Sequence, residues 1–313
     1  MRVTAATRRQ RAGTSLVELV VAMALFAVFG SMVLAQLRSN GRSLTALADR
    51  TESRSALWQG NDVIATELRP ISPVSGDLLL VADSALWYRG AVASGVVCGG
   101  GAPNPWLDLL PDSAASGMRF GWGTSAVQAG DELHLFDEGQ LPGASDDRWV
   151  TLSISSTSRI SGLCAGSAYL HPVLDAGKAG YRVRLAVSPP PGALTGATVR
   201  ITRPARLALY RASTADWWLG WSDWNASLGA WNIIQPVSGA YRPYGANPRP
   251  SGIAYRGRDS TGALLIGPTV TGAASQIEVM LRTQVQTARL GIGPSLVSLA
   301  DSLNARVSLR NRQ

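Results

Sequence analysis

The chain is poor in the side chains from which most catalytic and metal sites are built. In 313 residues there are two histidines, His134 and His171, and two cysteines, Cys98 and Cys164. Neither cysteine belongs to a CxxC pair or stands at a zinc-ligand spacing from a histidine, which argues against a zinc site. The motifs HExxH, GxSxG and the Walker phosphate loop are all missing. Gly121-Trp122-Gly123 and Gly291-Ile292-Gly293 lack a third glycine and a strand–helix setting, so they read as turns. His134 falls in an alternating strand pattern and reads as a sheet histidine rather than a general base. The expectation is a chain without catalysis, cofactor or metal. Lysine is nearly absent, with Lys178 alone, and no proline occurs before Pro70.

Charge is also scarce at one place where its absence matters. From Leu16 to Leu37 the only ionisable side chain is Glu18. That run of about 22 residues is long enough to cross a bilayer as a helix at roughly 1.5 Å per residue. A carboxylate there costs roughly 2–3 kcal/mol or more in lipid, so it marks a function. Ahead of it lies a leader with Arg2, Arg8, Arg9 and Arg11 and no acid, ending in Gly13. The basic leader predicts a cytoplasmic N-terminus. Taking those four arginines from the net charge of +8 leaves +4. So small a surplus, spread along strands, does not point to nucleic acid.

The segment Gly13-Thr14-Ser15-Leu16-Val17-Glu18-Leu19 resembles the start of type IV prepilins and type II secretion pseudopilins. In that family a basic leader ends in glycine, a dedicated peptidase cuts after it, and glutamate is fifth in the mature chain. The resemblance implies cleavage between Gly13 and Thr14, N-methylation of Thr14, and pairing of Glu18 with the freed ammonium of a neighbouring subunit. Thr14 departs from the Phe or Met usual at that place. An ordinary secretory signal would instead be cut after Ala35, leaving Gln36 first; a glutamate within the signal core argues against it.

Beyond the apolar run, Leu37, Leu44, Leu47, Leu57, Ile64 and Leu68 recur at near-helical spacing among charged residues. The spacing predicts one helix from about Ser15 to Arg69, ended by Pro70. Gly30, Gly41 and Gly60 are places where it could bend. The organisation expected is a leader at 1–13, a helix at 14–69 (transmembrane 16–37, amphipathic 38–69) and a head at 70–313. Past Pro70 the period becomes two. Strands are predicted at 78–81, 86–88, 118–122, 132–136, 149–154, 181–187, 198–202, 207–210, 276–285 and 305–310. The fold class is α+β, a long hydrophobic helix followed by a β-rich antiparallel head. The proline run at 188–192 offers a division of that head into two lobes.

Cys98 and Cys164 could form a disulfide in an extracytoplasmic protein, or remain two buried thiols. Asp131, Glu132, Asp137, Glu138, Asp146 and Asp147 offer oxygen ligands, but at no EF-hand spacing, and read as solvated turn carboxylates. Ten tryptophans occur, five of them between 217 and 231: Trp217, Trp218, Trp221, Trp224 and Trp231. Such a cluster can fill a core, meet a partner or stack on sugars.

Several head segments are similar to PilW-type minor pilins: Asp131 to Leu135, the stretch around Cys164, Arg206 to Arg211, and Ser251 to Gly262. The last strand, from Val307 to Asn311, is similar to theirs and to that of pseudopilin J. The resemblance implies a non-catalytic minor pilin or pseudopilin, held in the bacterial inner membrane with its head in the periplasm. It would join other minor pilins and the major pilin to start or cap a pilus or pseudopilus. Alternatives are a main filament subunit and a membrane-anchored carbohydrate-binding module.

Overall fold

One helix, α1, runs unbroken from Leu16 to Leu68, 53 residues, straight through Gly30, Gly41 and Gly60. Pro70 lies just past its end, where a missing N–H and a fixed φ stop a helix. The computed structural model describes residues 15–121, 123, 125–139, 146–192, 195–245, 250–283, 285–287 and 297–310. The expected leader, and with it Gly13 and Thr14, lies outside the described residues.

The chain forms two compact units, residues 1–52 with 285–299, and residues 53–284 with 300–313. Fifteen strands lie among the described residues. In chain order they are β1 (Leu78–Val81), β2 (Ala85–Gly100), β3 (Trp106–Leu109), β4 (Glu132–Asp137) and β5 (Arg148–Ser161). Then follow β6 (Ala179–Leu185), β7 (Thr198–Arg211), β8 (Trp217–Asn225), β9 (Ala230–Trp231) and β10 (Gln235–Tyr241). The last are β11 (Ile253–Arg258), β12 (Gln276–Arg282), β13 (Val285–Thr287), β14 (Val297–Leu299) and β15 (Ser302–Ser308), with a one-turn helix α2 (Val270–Ala273) before β12. The first unit holds the apolar length of α1 and the antiparallel pair β13–β14.

All the strand pairing in the second unit is antiparallel, and its two long strands organise it. From Ala85 to Val96, β2 pairs with β7 from Ala208 back to Thr198. Near Leu86 the outer neighbour of β2 is β1, and near Val97 it is β3. Likewise β7 meets β4 at Val199 to Thr202 and β8 at Ala205 to Arg211. The order β2-β3-β6-β5-β4-β7 therefore closes on itself through the β2–β7 pairing. Closure of a six-strand ring removes its free edges. Its centre holds Val97, Leu107, Leu109, Leu133, Leu135, Ile154, Val183, Val199 and Ile201.

The other halves of β2 and β7 belong to an open sheet with β1, β8 and β10. Between that sheet and the three-stranded sheet β11-β12-β15 lies the end of α1. Its buried residues Ser53, Ala56, Leu57, Gly60, Ile64, Ala65 and Leu68 form one stripe at helical spacing. They share a core with Leu86, Tyr88, Leu207, Leu219, Ile253, Val279 and Leu281. Gly60 permits a close approach: a Cβ there would lie 2.7 Å from Ser238 Oγ and overlap the Tyr241 hydroxyl. That hydroxyl donates to the Ala56 carbonyl at 2.9 Å.

The buried residues of α1 start at Ser53. Leu37, Leu44 and Leu47, at the same near-helical spacing, stay exposed. The expected strands 198–202 and 207–210 are one strand, β7. Residues 118–121 form no strand: they make the isolated bridge Ser113↔Arg119, and Gly117 before them and Gly121 at their end take positive φ, which breaks an extended run; Trp122 lies outside the described residues. The prolines at 188–192 do not divide two cores, since Leu185 before them and Ala197 after them share the ring interior.

Candidate functional site

Two regions stand out, the apolar length of α1 and one face of the open sheet. The apolar stretch has a mean hydropathy of 2.4 over its best eighteen-residue window, none of it buried. It is long and apolar enough to cross a membrane. Leu16, Phe26, Phe29 and Met32 are all more than three-fifths exposed. A continuous apolar surface of this size calls for lipid or other helices around it. Glu18 lies in the first turn, where a negative charge is favoured by the helix dipole.

The tryptophans divide by strand alternation. In β8, Leu219 and Trp221 turn toward the core beneath α1. Trp221 Nε1 donates to the Tyr88 hydroxyl at 3.1 Å, which donates to Glu67 Oε2 of α1 at 2.7 Å. Burial, and then the nearby Glu67 carboxylate, hold the Tyr88 pKa well above its ordinary value. Trp217 is half-buried opposite Arg211, and Trp218 is half-buried opposite Tyr210, its ring lying where a side chain on Gly239 would stand.

On the opposite face a different group assembles. Across three strands, Trp87 of β2 is opposite Arg206 of β7, and Arg206 is opposite Ser222 of β8. Trp224 is paired with Trp231 of β9. The Trp231 ring is 5.3 Å from that of Trp87 and 5.5 Å from that of Trp224. Over it sits the Arg206 guanidinium, 4.6 Å from the ring centre, held through Nε by Ser222 Oγ at 2.8 Å. Sequence reasoning found Trp224 and Trp231 but missed Trp87 and Arg206. Only the register of the β2, β7 and β8 strands brings them there, and no local pattern announces it.

Cys98 and Cys164 are joined by a disulfide, Cα–Cα 5.6 Å, from β2 to the turn after β5. It packs beside Leu110, Ala114, Phe120 and Leu170. Three of the six carboxylates that could have held calcium are engaged otherwise: Asp131 by Arg203, Glu132 by Arg89, and Asp137 by Arg148. Among the described residues no cluster of His, Cys, Asp and Glu is arranged for a metal.

His134 is buried between two threonines, Thr202 Oγ1 at 2.9 Å from Nε2 and Thr151 Oγ1 at 3.0 Å from Nδ1. Burial, with the Arg200 cation beside it, lowers its pKa from 6.5 to about 4. The unfolded chain therefore takes up this proton first. Stability should be complete above about pH 6.5, fall by roughly 3 kcal/mol as pH drops to about 4, and lose nothing further from this group below that. Urea melts of the head across pH 4–8 should show that window, and His134→Gln should flatten it.

Comparison with protein-family models, with curated proteins and with solved structures gives no match for the chain. By its own architecture it is an α+β protein, a helix long and apolar enough to span a membrane followed by an antiparallel β-rich head.

Proposed function

We propose that the chain is a non-catalytic subunit of a type IV pilin-like assembly, a minor pilin or type II secretion pseudopilin. The observation that carries this reading is α1 itself. Its first part is bare, apolar and charged only at Glu18, and residues 53–68 of the same helix fill the core of a large β head. With the leader ending in Gly13, that is the layout of a prepilin. The prepilin peptidase cuts before Thr14, the helix stays in the inner membrane with the head in the periplasm, and Glu18 pairs with the new ammonium of a neighbouring subunit. Methylation at Thr14 would keep that charge.

A charge within hydrocarbon gains most from an opposite charge, so the pair both offsets burial and sets register between helices. Glu18→Ala should leave processing intact, with the mature protein starting at Thr14 by mass spectrometry. Incorporation into sheared filaments or isolated complexes should fall at least about tenfold, the effect of losing roughly 1.4 kcal/mol at each docking step. A mature start at Gln36, an untrimmed Met1, or normal incorporation of the variant would each overturn the reading.

A further inference from the structure

We propose that the sheet face around Arg206 is a docking site for an acidic side chain, Asp or Glu, of a neighbouring protein subunit. The proposal rests on the assembly reading and names the chemistry of the neighbour. Its starting point is an imbalance of charge. Three other arginines of β2 and β7 have carboxylates: Arg89 has Glu132, Arg200 has Asp77, and Arg203 has Asp131 and Asp223, while Arg211 at the end of β7 donates to the Ala215 carbonyl. Farther along the head, Arg182 has Asp108 and Arg258 has Glu278. Arg206 has no carboxylate within ion-pair distance among the described residues, and only its Nε is hydrogen-bonded, to Ser222. Among the described residues its terminal nitrogens Nη1 and Nη2 have no hydrogen-bond partner, and neither is among the buried unpartnered atoms. Burial lowers its pKa, and no anion offsets that.

The guanidinium is nonetheless fixed. Ser222 holds one edge and the Trp231 ring lies beneath, so the free edge is presented with little further entropy to lose. A fork of two N–H donors fits a carboxylate bidentately. The surroundings suit a protein rather than a sugar. Trp87 and Trp224 meet Trp231 at interplanar angles of 59° and 81°, so the three indoles make no flat shelf for a pyranose ring. On either side of β9, Leu228 is 74% and Ile233 84% exposed, two aliphatic side chains that a protein surface would cover. Tryptophan and arginine are the residue types enriched in interface hot spots.

The test places the photo-reactive residue p-benzoylphenylalanine at Ile233 in the full chain, in its own membrane. Irradiation should give an adduct with a protein, and the cross-linked peptide should carry an Asp or Glu. Arg206→Gln should lower adduct yield about tenfold while protease resistance of the head is unchanged, and Arg206→Lys should lower it less. Changing the partner's acid to Arg should restore the yield to Arg206→Glu. An adduct undiminished in Arg206→Gln, or adducts to glycan or lipid only, would overturn the proposal. Failure of this docking idea alone would leave the Glu18 dependence of incorporation intact, whereas failure of the assembly reading would remove both.

Discussion

Arg203→Met should cost the head about 3–5 kcal/mol, which is what stranding buried charge does when one partner of an ion pair is removed. Arg203 lies on β7 between Ile201, which points into the ring, and Ala205 and Leu207, which belong to the core under α1. Its side chain is 8% exposed, that of Asp131 3%, and that of Asp223 17%. The guanidinium donates to both Asp131 oxygens, at 2.7 and 2.9 Å, to Asp223 Oδ2 at 2.8 Å, and to the Ala126 carbonyl at 2.9 Å. Methionine fills much of the same space but leaves two carboxylates facing one another without a cation.

Burial alone would raise the Asp223 pKa, but hydrogen bonds from Asn232 and Arg203 outweigh it and hold it below the ordinary value. In the native head this contribution is present above about pH 4 and is lost as pH falls further. In Arg203→Met the sign reverses, because the stranded carboxylates can be relieved only by protons. The defect should therefore shrink as pH is lowered toward 4. Thermal melts at two pH values would check this. A melting temperature within about 2 °C of the native head at pH 7, equivalent to less than roughly 1 kcal/mol, would contradict the argument.

The parts that were legible in the sequence are those written locally. An unbroken apolar run with no proline predicts α1, and Pro70 predicts its end. Alternation of Val183 and Leu185 with Arg182 and Arg184 predicts β6. Pairing is different in kind. The hairpin neighbours β1–β2, β2–β3 and β7–β8 are near in sequence, but the pairing of β2 with β7 joins residues more than a hundred positions apart, from Ala85 and Ala208 to Val96 and Thr198. The ring closure follows from those contacts alone, and so does the meeting of Trp87, Arg206 and Trp231. For the same reason five neighbouring tryptophans, read as one cluster, separate onto two faces of β8 once the strand alternates. Arg203 gives no sequence signal either: it is one arginine among many, and its weight comes from where the two cores join.

Removing the bridge with Cys98→Ala and Cys164→Ala together should destabilise the head by about 4 kcal/mol in the chain-entropy account, since the cysteines are 66 residues apart. The loop between them contains β3, β4 and β5, three of the six ring strands, so the cross-link restrains much of the sequence that must find its register. For a head of this size the melting temperature should drop by roughly 8–16 °C. Replacing each sulfur by hydrogen beside Leu110, Phe120 and Leu170 adds only a small packing loss, so reducing the native protein should reproduce most of the change. The bond also tests where the head resides. Disulfides persist in oxidising compartments and are rare in the bacterial cytoplasm. Head protein collected from the periplasm should be oxidised and melt at the higher temperature, while the same segment made in the cytoplasm should carry two free thiols and melt lower. If the thiols of the exported protein react freely with a maleimide before unfolding, both the bridge and the periplasmic placement of the head fail together.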